Sequence, residues 1–363
     1  MFKPIFSIDH QITQLLIRIE LLKKEIQDLP ITPTVLASLR ESARLNTIHY
    51  STYIEGNRLT LDQVQDLIQV GSTFPNRKRD EKEVLGYYAA LEKIKTFASL
   101  SNSLTQKDIQ CLHALVMGGG KLNIKPTPYR DGQNVIYESS SKKIVYLPPE
   151  AKDLKQLMSD LIKWINQAEQ DNVPCPLRAA IVHYQFATIH PYYDGNGRTA
   201  RLLATIILHR GGYNLKGLYS LEEYYAKNLQ AYYNALSVGP SHNYYFGRVQ
   251  ADITSWLYYF CSGMVDSFEK VKNYALIEYH KGFEDKSKFL RELDAQQEAA
   301  LALFKKRKVI TSKDVQIFFN LSARTARAMC LKWLRDGFLV LKDPAKKSRK
   351  YELNSQISKK LFE

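Results

Sequence analysis

Within residues 190–201 the chain carries a histidine, an aspartate and two arginines, the residue types that phosphoryl chemistry uses. His190 ordinarily has a pKa near neutrality and can therefore remove a proton from an attacking hydroxyl group. Asp194 offers a hard oxygen to Mg²⁺, which usually takes one or two carboxylates together with substrate phosphates. Arg198 and Arg201 are three positions apart at the start of a predicted helix, so both can bind phosphoryl oxygens. The spacing predicts a polyphosphate site.

Two glycines of the same segment favour the close approach of an anion. Gly195 and Gly197 allow positive φ angles and leave the backbone open to a ligand. An apolar stretch at 177–189 precedes the segment and the apolar stretch LLATIIL follows it, so the segment forms a corner between two helices. The N–H groups at the start of the second helix attract anions. The corner is therefore predicted to cradle phosphate.

The segment HPYYDGNGRTAR at 190–201 resembles the signature of the Fic family, His-x-Phe-x-Asp/Glu-Gly-Asn-Gly-Arg-x-x-Arg. Members of this family mostly transfer AMP from ATP to Ser, Thr or Tyr hydroxyls of proteins. The one departure is Tyr192 in place of Phe, at a position that is an apolar anchor beneath the loop in the family, so a Tyr is expected to be tolerated. The Gly-Asn-Gly core differs from the Ala-Asn-Lys of the kinase-like relatives. The resemblance implies protein adenylyltransferase activity with ATP as substrate.

The resemblance also implies a role for each polar residue of the signature. His190 would be the general base, Asp194 the Mg²⁺ ligand, Asn196 and Arg198 phosphate contacts, and Arg201 the clamp on the γ-phosphate. Attack would be in line on the α-phosphorus with pyrophosphate leaving, so positioning and charge stabilisation would carry the catalysis.

Further nucleotide contacts are expected outside the signature. Asn228, Tyr232 and Tyr233, in the stretch YYAKNLQAYYNAL, resemble the helix of the family that borders the adenosine. Helical aromatic residues are more often part of a core, and that alternative stays open here. The predicted ATP- and phosphate-binding residues are Gly195, Asn196, Gly197, Arg198, Arg201, Asn228 and Tyr232.

An inhibitory motif is indicated by Ser51, Glu55 and Gly56 in the stretch STYIEG, which resembles the Ser/Thr-x-x-x-Glu-Gly/Asn inhibitory helix of Fic proteins. It lies on a predicted helix around residues 41–56, on the N-terminal side of the catalytic segment. A carboxylate at Glu55 can pair bidentately with Arg201 and occupy the group needed for the γ-phosphate. We therefore expect an autoinhibited enzyme.

The elements that position these residues are predicted to be mainly α-helical, because apolar residues recur at helical spacing along most of the chain. Thr60 and Thr105 begin helices at about 61–70 and 106–117, each followed three positions later by a side chain that can bond back. Further helices are expected at about 152–168 and, after a break at two prolines, 177–189. Two β-prone pieces around a Ser-rich turn predict one hairpin at 134–147. By the resemblance, this hairpin is a flap that binds a segment of the target protein by strand addition.

The C-terminal part is predicted to be a small winged helix-turn-helix domain, because Thr311 and Ser322 each begin a short helix and the pieces FLVL and KYEL can form a wing. Residues 291–363 hold 17 Lys and Arg against 8 Asp and Glu, so most of the formal charge of +14 lies there. Arg324, Arg327 and Lys332 can face DNA phosphates. Contact with a protein is the alternative partner of such domains.

The sequence thus predicts a helical region at 1–103 that holds the inhibitory helix, a Fic core with one hairpin at 104–240, a helical connector at 241–292 and the winged-helix domain at 293–363. The four cysteines show no C-x-x-C spacing, and neither an export signal nor a membrane span is apparent, so we expect a cytoplasmic protein without membrane contact. The resemblance also allows a homodimer. Two other functions remain open: removal of AMP from modified proteins by the same site, and an ATP-sensing regulator that binds DNA.

Overall fold

The computed structural model describes residues 2–29, 31, 33–99, 103–137, 144–280, 293–304, 307–343, 349–355 and 357–358. The chain folds into two compact units, Met1–Leu276 and Ile277–Glu363. The first unit is mainly helical, as predicted. Its helices are α1 (His10–Asp28), α2 (Pro33–Ile54), α3 (Leu61–Val70), α4 (Lys78–Ser99), α5 (Gln106–Met117), α6 (Leu154–Gln170), α7 (Cys175–Ile189), α8 (Asn196–Arg210), α9 (Leu221–Lys227), α10 (Leu229–Leu236) and α11 (Thr254–His280), which crosses the unit boundary.

The predicted helix starts at Thr60 and Thr105 are confirmed. Each hydroxyl accepts a backbone N–H three residues later, and Gln63 or Asp108 bonds back to the cap, so both form capping boxes. The prediction for α7 was two residues short. The helix begins at Cys175, because proline has no N–H to lose in the first turn of a helix.

Helices α7 and α8 form the centre of the first unit. Nearly every residue of α7 is buried, and α8 is apolar on the side that packs against it. Helix α4 packs against α5 and α8, while α2 packs against α4 and α9. This packing brings the end of α2 to the start of α8, so residues 51–56 and 190–201 meet although they are far apart in sequence.

Both arms of the predicted hairpin are present. Strands β1 (Ile136–Tyr137) and β2 (Ile144–Tyr146) pair antiparallel, with Ile136 opposite Tyr146. Residues 138–143, which hold the predicted Ser-rich turn, lie outside the described residues. The helix predicted at about 152–168 is present. It consists of a short 3₁₀ turn at Ala151–Asp153 followed directly by α6.

After the end of α11, the described residues of the second unit form three further helices and a small sheet. These elements are α12 (Ala295–Phe304), β3 (Val309–Thr311), α13 (Ser312–Phe318), α14 (Ala323–Arg335), β4 (Leu339–Asp343) and β5 (Lys350–Leu353). The strands pair antiparallel in the order β3-β5-β4. Trp333 and Phe338 are at the centre of its separate apolar core. Thr311 and Ser322 cap α13 and α14 as predicted. Among the described residues of the whole chain, no helix is long and apolar enough to cross a bilayer.

Candidate functional site

His190 ends α7 with left-handed backbone angles, φ 51° and ψ 58°, which turn the chain sharply into the loop. Its Nδ1 atom lies 3.2 Å from the carbonyl oxygen of Ala187. A carbonyl oxygen can only accept, so Nδ1 carries the proton and Nε2 keeps a lone pair. Burial lowers the pKa of His190 to about 4. At neutral pH the residue is therefore an uncharged base with its free nitrogen at Nε2.

The loop itself is held by Asn196 and by Gly195. The Asn196 side chain donates to the carbonyl oxygen of Tyr192 at 2.7 Å and accepts from the N–H group of Tyr192 at 3.0 Å. Gly195 has φ 76°, and a Cβ atom there would lie 2.8 Å from Sδ of Met117. Because the side chain of Asn196 is used inside the loop, its backbone N–H at the start of α8 is the group left for the predicted phosphate contact.

Arg198 is almost completely buried, at 1% exposure, beside the carboxylate of Asp194. Its Nη2 atom donates to Oδ1 of Asp194 at 3.0 Å, and the same oxygen accepts the N–H of Gly195. Its Nε and Nη1 atoms have no hydrogen-bond partner among the described residues. Unpaired buried donors of a cation are unfavourable, so an anionic ligand at this position would relieve that penalty.

Arg201 contacts the inhibitory motif through three hydrogen bonds. Nε donates to the hydroxyl of Ser51, and Nη2 donates both to the carbonyl oxygen of Ser51 and to Oε1 of Glu55, each at 2.8 Å. The expectation of a bidentate pair is wrong: the backbone and hydroxyl oxygens of Ser51 take the positions that a second carboxylate oxygen would need. Burial alone would lower the pKa of Arg201, but the adjacent Glu55 carboxylate raises it above its ordinary value.

The segment Ser51–Gly56, predicted to be inhibitory, is held by hydrogen bonds to its surroundings. Gly56 has φ 91° and ends the helical turn that carries Glu55. The side chain of Asn57 donates to Oε2 of Glu83 on α4, and the hydroxyl of Tyr233 donates to the carbonyl oxygen of Ile54 at 3.0 Å. The Glu55 carboxylate then lies directly against Gly197, where a Cβ atom would collide with it.

A cavity of about 260 Å³ brings five of the predicted residues together. We call it the His190 cavity, and its wall includes Glu55, His190, Gly197, Arg201 and Tyr232, together with residues of β1 and β2. The hydroxyl of Tyr232 lies 3.5 Å from Nη1 of Arg201 and 2.9 Å from Nε2 of the buried His183.

Asn228, by contrast, does not line this cavity. Its side chain is exposed and accepts the N–H group of Ala231 at 3.0 Å, which makes it the N-cap of α10. Its predicted nucleotide contact therefore has no support in the geometry.

Arg130 is a site residue that the sequence did not reveal. It is buried, at 4% exposure, and its guanidinium donates to the carbonyl oxygens of His190, Gly132 and Pro149. It thereby ties the base to the residues on either side of the hairpin. No motif marks this arginine, because its partners are backbone oxygens that can belong to any residue type.

Tyr192 occupies the anchor position beneath the loop, as expected. Its ring stacks on His113 of α5 with centroids 3.5 Å apart, and Nε2 of His113 donates to the carbonyl oxygen of Asp194 at 2.8 Å. Burial lowers the pKa of His113 to about 4, which favours the neutral ring that this stack contains. His113 is therefore a second support of the loop that the sequence did not indicate.

Comparison with known proteins agrees with this geometry. The family described as "Fic: Fic/DOC family" matches residues 103–208. A protein adenylyltransferase Fic from Culex quinquefasciatus is 34% identical over 182 residues, which are 49% of this chain and 34% of that protein. The chain thus spans about a third of the length of that curated relative.

Solved structures of Fic proteins have the same fold. A Fic family protein from Desulfovibrio desulfuricans G20 superposes with a TM-score of 0.64 at 24% identity, covering 98% of this chain and 99% of that one. A Fic domain containing signaling protein from Bacteroides thetaiotaomicron VPI-5482 gives 0.60 at 25% identity, covering 71% and 96%. The family match, together with the arrangement of His190, Arg198 and Arg201, shows that residues 103–208 are a domain of the Fic/DOC family.

Proposed function

We propose that this chain transfers AMP from ATP to a Ser, Thr or Tyr hydroxyl of a target protein or of itself. The observation that carries the proposal is that His190, with its lone pair on Nε2, lines the same cavity as Arg201 and the start of α8. The cavity thus places a base that can deprotonate a hydroxyl group beside groups that can bind an anion. The relative from Culex quinquefasciatus, which is named a protein adenylyltransferase, supports the same assignment.

In the proposed reaction the target hydroxyl loses its proton to Nε2 of His190 while its oxygen attacks the α-phosphorus. The bond to the β-phosphate oxygen breaks, and pyrophosphate leaves with the bonding electrons. Arg198 and the N–H groups of the first turn of α8 stabilise the charge on the phosphates. Arg130 holds the backbone of His190 and so keeps the base in position.

Asp194 is the proposed Mg²⁺ ligand. Its side chain is half exposed, and its hydrogen bonds with Gly195 and Arg198 both use Oδ1. Oδ2 is then suited to a hard cation, and one carboxylate with substrate phosphates is a usual donor set for Mg²⁺. When bound, the ion would neutralise charge on the phosphates.

We further propose that Glu55 inhibits the enzyme. Arg201 is the proposed γ-phosphate clamp, and in this conformation its guanidinium is occupied by Glu55 and Ser51. ATP could enter the His190 cavity, but its triphosphate would lack the arginine that sets the productive orientation. Removal of the carboxylate would leave available the Nη2 hydrogen that Glu55 now accepts, while the bonds to Ser51 would remain.

The hairpin of β1 and β2 is the proposed docking place for the target. Tyr137 and Ile144 are exposed on it, and β1 and β2 contribute Ile136 and Tyr146 to the wall of the His190 cavity. A target segment that added as a further strand would bring its hydroxyl close to His190.

The second unit is proposed to be a winged-helix domain, on the basis of its helix order and three-stranded sheet. Arg324 and Arg327 on α14 are exposed, which suits contact with DNA phosphates or an acidic protein surface. Lys332 is less suited to that role than expected, because it pairs with Asp294 at 3.0 Å. A cytoplasmic location and a homodimer remain part of the proposal.

The experiment incubates wild type, Glu55→Gly and His190→Ala with Mg²⁺ and ATP labelled at the α- or γ-phosphate, and asks which proteins acquire label. Label from the α-phosphate alone, strongest with Glu55→Gly and absent with His190→Ala, is the expected result. Label from the γ-phosphate would identify a kinase instead. Release of AMP from a modified target without ATP would favour AMP removal, and salt-sensitive binding to one DNA sequence without any label would favour the regulator.

A further inference from the structure

A cavity of about 320 Å³ lies in the first unit, apart from the catalytic segment. We call it the Lys216 cavity. Its wall is formed by α2, α4, α8, the start of α9 and the turn at Leu215–Gly217, and none of residues 190–201 lines it. Its volume exceeds that of the His190 cavity, about 260 Å³, and cavities of about 300–1,000 Å³ are typical of small-molecule sites. The Lys216 cavity therefore has room for a ligand of its own.

The wall has an apolar part and a charged mouth. Ala43 of α2, Leu91 of α4 and Leu221 of α9 line the inner part, and the first and last of these are buried. Arg40 and Lys216 line the cavity with exposed side chains, so they lie at its mouth. Small-molecule sites commonly combine an apolar wall with a few polar groups that orient the ligand. The arrangement indicates a ligand with an organic body and one charged end.

Arg40 and Lys216 are cations without an acidic partner. Nε of Arg40 donates to the carbonyl oxygen of Lys216 at 2.6 Å, which holds the guanidinium beside that residue. The two carboxylates of the wall are engaged elsewhere: Glu92 pairs with Arg44 at 3.2 Å, and Glu222 accepts hydrogen bonds from two hydroxyls. In the described part of the chain, no carboxylate lies within ion-pair distance of Arg40 or Lys216. Neighbouring like charges repel, so an anion bound between them would be favourable.

The turn that carries Lys216 is strained. Leu215, Lys216 and Gly217 have successive φ angles of 39°, 59° and 75°. Left-handed angles are unfavourable for residues that have a Cβ atom, and strained backbone of this kind is found most often at functional segments such as ligand clamps. Leu215 is buried and anchors the turn, whereas the side chain of Lys216 is exposed. The strain is an observation independent of the charges that also indicates a ligand site.

The Lys216 cavity lies about one helical turn from the contacts between Ser51 and Arg201, on both helices that make them. Thr47, which lines the cavity, precedes Ser51 on α2 by four residues, and Thr205, which also lines it, follows Arg201 on α8 by four residues. One turn of helix is about 5.4 Å. The hydroxyl of Thr205 donates to the carbonyl oxygen of Arg201 at 3.0 Å. A ligand in this cavity would therefore contact both helices close to the pair that is proposed to inhibit the enzyme.

We propose that the Lys216 cavity binds a small organic anion, a phosphate monoester or a carboxylate, and that this ligand stabilises the inhibited conformation. The regulatory part rests on the proposed function. The anionic group would accept hydrogen bonds from Arg40 and Lys216, and the organic part would lie against the apolar wall. The ligand would join α2 to the turn in the conformation in which Ser51 and Glu55 contact Arg201. A ligand that binds one conformation better shifts the population toward it.

Binding is tested by calorimetric titration of the full chain with sodium phenyl phosphate and with sodium benzoate at low salt. Benzamide, which has the shape of benzoate without its charge, is the control ligand. We expect Arg40→Gln together with Lys216→Gln to weaken binding of the preferred anion at least about tenfold, since charge-assisted hydrogen bonds are lost. The control variant, Lys107→Gln together with Lys155→Gln, removes two exposed lysines outside the cavity and should bind as wild type does.

The two anions separate the possible ligands. Tighter binding of phenyl phosphate would identify a phosphate monoester, and tighter binding of benzoate would identify a carboxylate. Equal affinity of the two double variants, no binding of either anion, or binding of benzamide as tight as that of benzoate would overturn the site.

Regulation is tested by the initial rate of AMP transfer at saturating ATP. The preferred anion should lower the rate of wild type at least about fivefold and leave Glu55→Gly unchanged, because that variant lacks the inhibitory carboxylate. An unchanged rate of wild type, or an equal fall in both proteins, would overturn the regulation. If AMP is transferred but anion binding ignores Arg40 and Lys216, the site fails and the proposed function stands. If no protein transfers AMP yet binding depends on these two residues, the proposed function fails and the site stands.

Discussion

Nη2 of Arg201 lies 2.8 Å from Oε1 of Glu55, a residue 146 positions earlier in the chain. The two side chains differ in exposure: that of Arg201 is 1% exposed and that of Glu55 is 27% exposed. Glu55 can therefore move into water without crossing the core, while Arg201 cannot. Arg201 would keep its hydrogen bonds to Ser51 after such a movement. The glutamate is thus the partner that is free to leave the pair, as its proposed inhibitory role requires.

Tyr233→Phe should partly activate the enzyme. The hydroxyl of Tyr233 donates to the carbonyl oxygen of Ile54, immediately before Glu55, and so helps to hold the inhibitory motif. Losing one such hydrogen bond, about 0.5–1.5 kcal/mol, should raise kcat at saturating ATP by about two- to tenfold. In the Glu55→Gly background the same substitution should bring no gain, because no inhibitory carboxylate remains. A gain of equal size in both backgrounds would disprove the role of Tyr233.

Glu222 is expected to be the second counter-charge of Arg201. It is buried, accepts from the hydroxyls of Tyr87 and Ser220, and has a pKa that burial raises and the positive charge of Arg201 lowers. With both carboxylates removed, Arg201 would be a buried cation without compensation, which is strongly unfavourable. Glu55→Gly and Glu222→Gln together should reduce the free energy of unfolding by about 1 kcal/mol or more beyond the sum of their single effects.

Urea unfolding of wild type, the two single variants and the double variant measures these free energies of unfolding. Glu222→Gln keeps the shape of the side chain, so it removes little besides the charge. Additivity within about 0.5 kcal/mol would show that Glu222 and Glu55 act independently.

The activity of Glu55→Gly should be independent of the ionisation of His190 across the neutral pH range. Burial lowers the pKa of His190 to about 4, so the base is uncharged above about pH 5. We expect kcat/KM, measured with saturating Mg²⁺, to stay level from about pH 6 to 8 and to fall only as the pH approaches 4. An acid limb centred near the ordinary histidine pKa, about 6.5, would contradict the uncharged, half-buried base.

Stability should fall with acid because of His183. Burial lowers its pKa to about 3, so between its ordinary pKa and that value the unfolded chain binds a proton that the folded chain does not. The free energy of unfolding should therefore lose about 2 kcal/mol through this residue between pH 7.5 and pH 5. Denaturant titrations at the two pH values, with His183→Gln beside wild type, measure it. On acidification the free energy of unfolding of His183→Gln should fall by about 2 kcal/mol less than that of wild type. An equal fall in the two proteins would refute the prediction.

Much of the fold and site could be predicted because the decisive interactions are local in sequence. The capping boxes at Thr60 and Thr105 are four-residue patterns, and the corner between α7 and α8 follows from one glycine-rich stretch between two apolar helices. The pairing of Glu55 with Arg201 could be expected from two short motifs. The use of only one carboxylate oxygen in this pair could not be expected from the motifs, because it depends on how Ser51 approaches the guanidinium.

The residues that sequence reasoning missed act through partners that no pattern specifies. Arg130 binds the backbone carbonyls of His190, Gly132 and Pro149, which lie in three separate parts of the chain. Asn228 was predicted from the resemblance alone. The structure gives it the role of a helix cap, for which asparagine is one of the best residues, and its nucleotide contact stays a prediction.

The Glu55–Arg201 contact is proposed to control the transfer of AMP from ATP. The most direct measurement is the initial rate of AMP incorporation into protein, from α-labelled ATP with Mg²⁺, for wild type and Glu55→Gly at equal concentration. Loss of one charge-assisted contact, about 1.5–3 kcal/mol, predicts a rate at least about tenfold higher for Glu55→Gly. Equal rates for the two proteins would contradict the account.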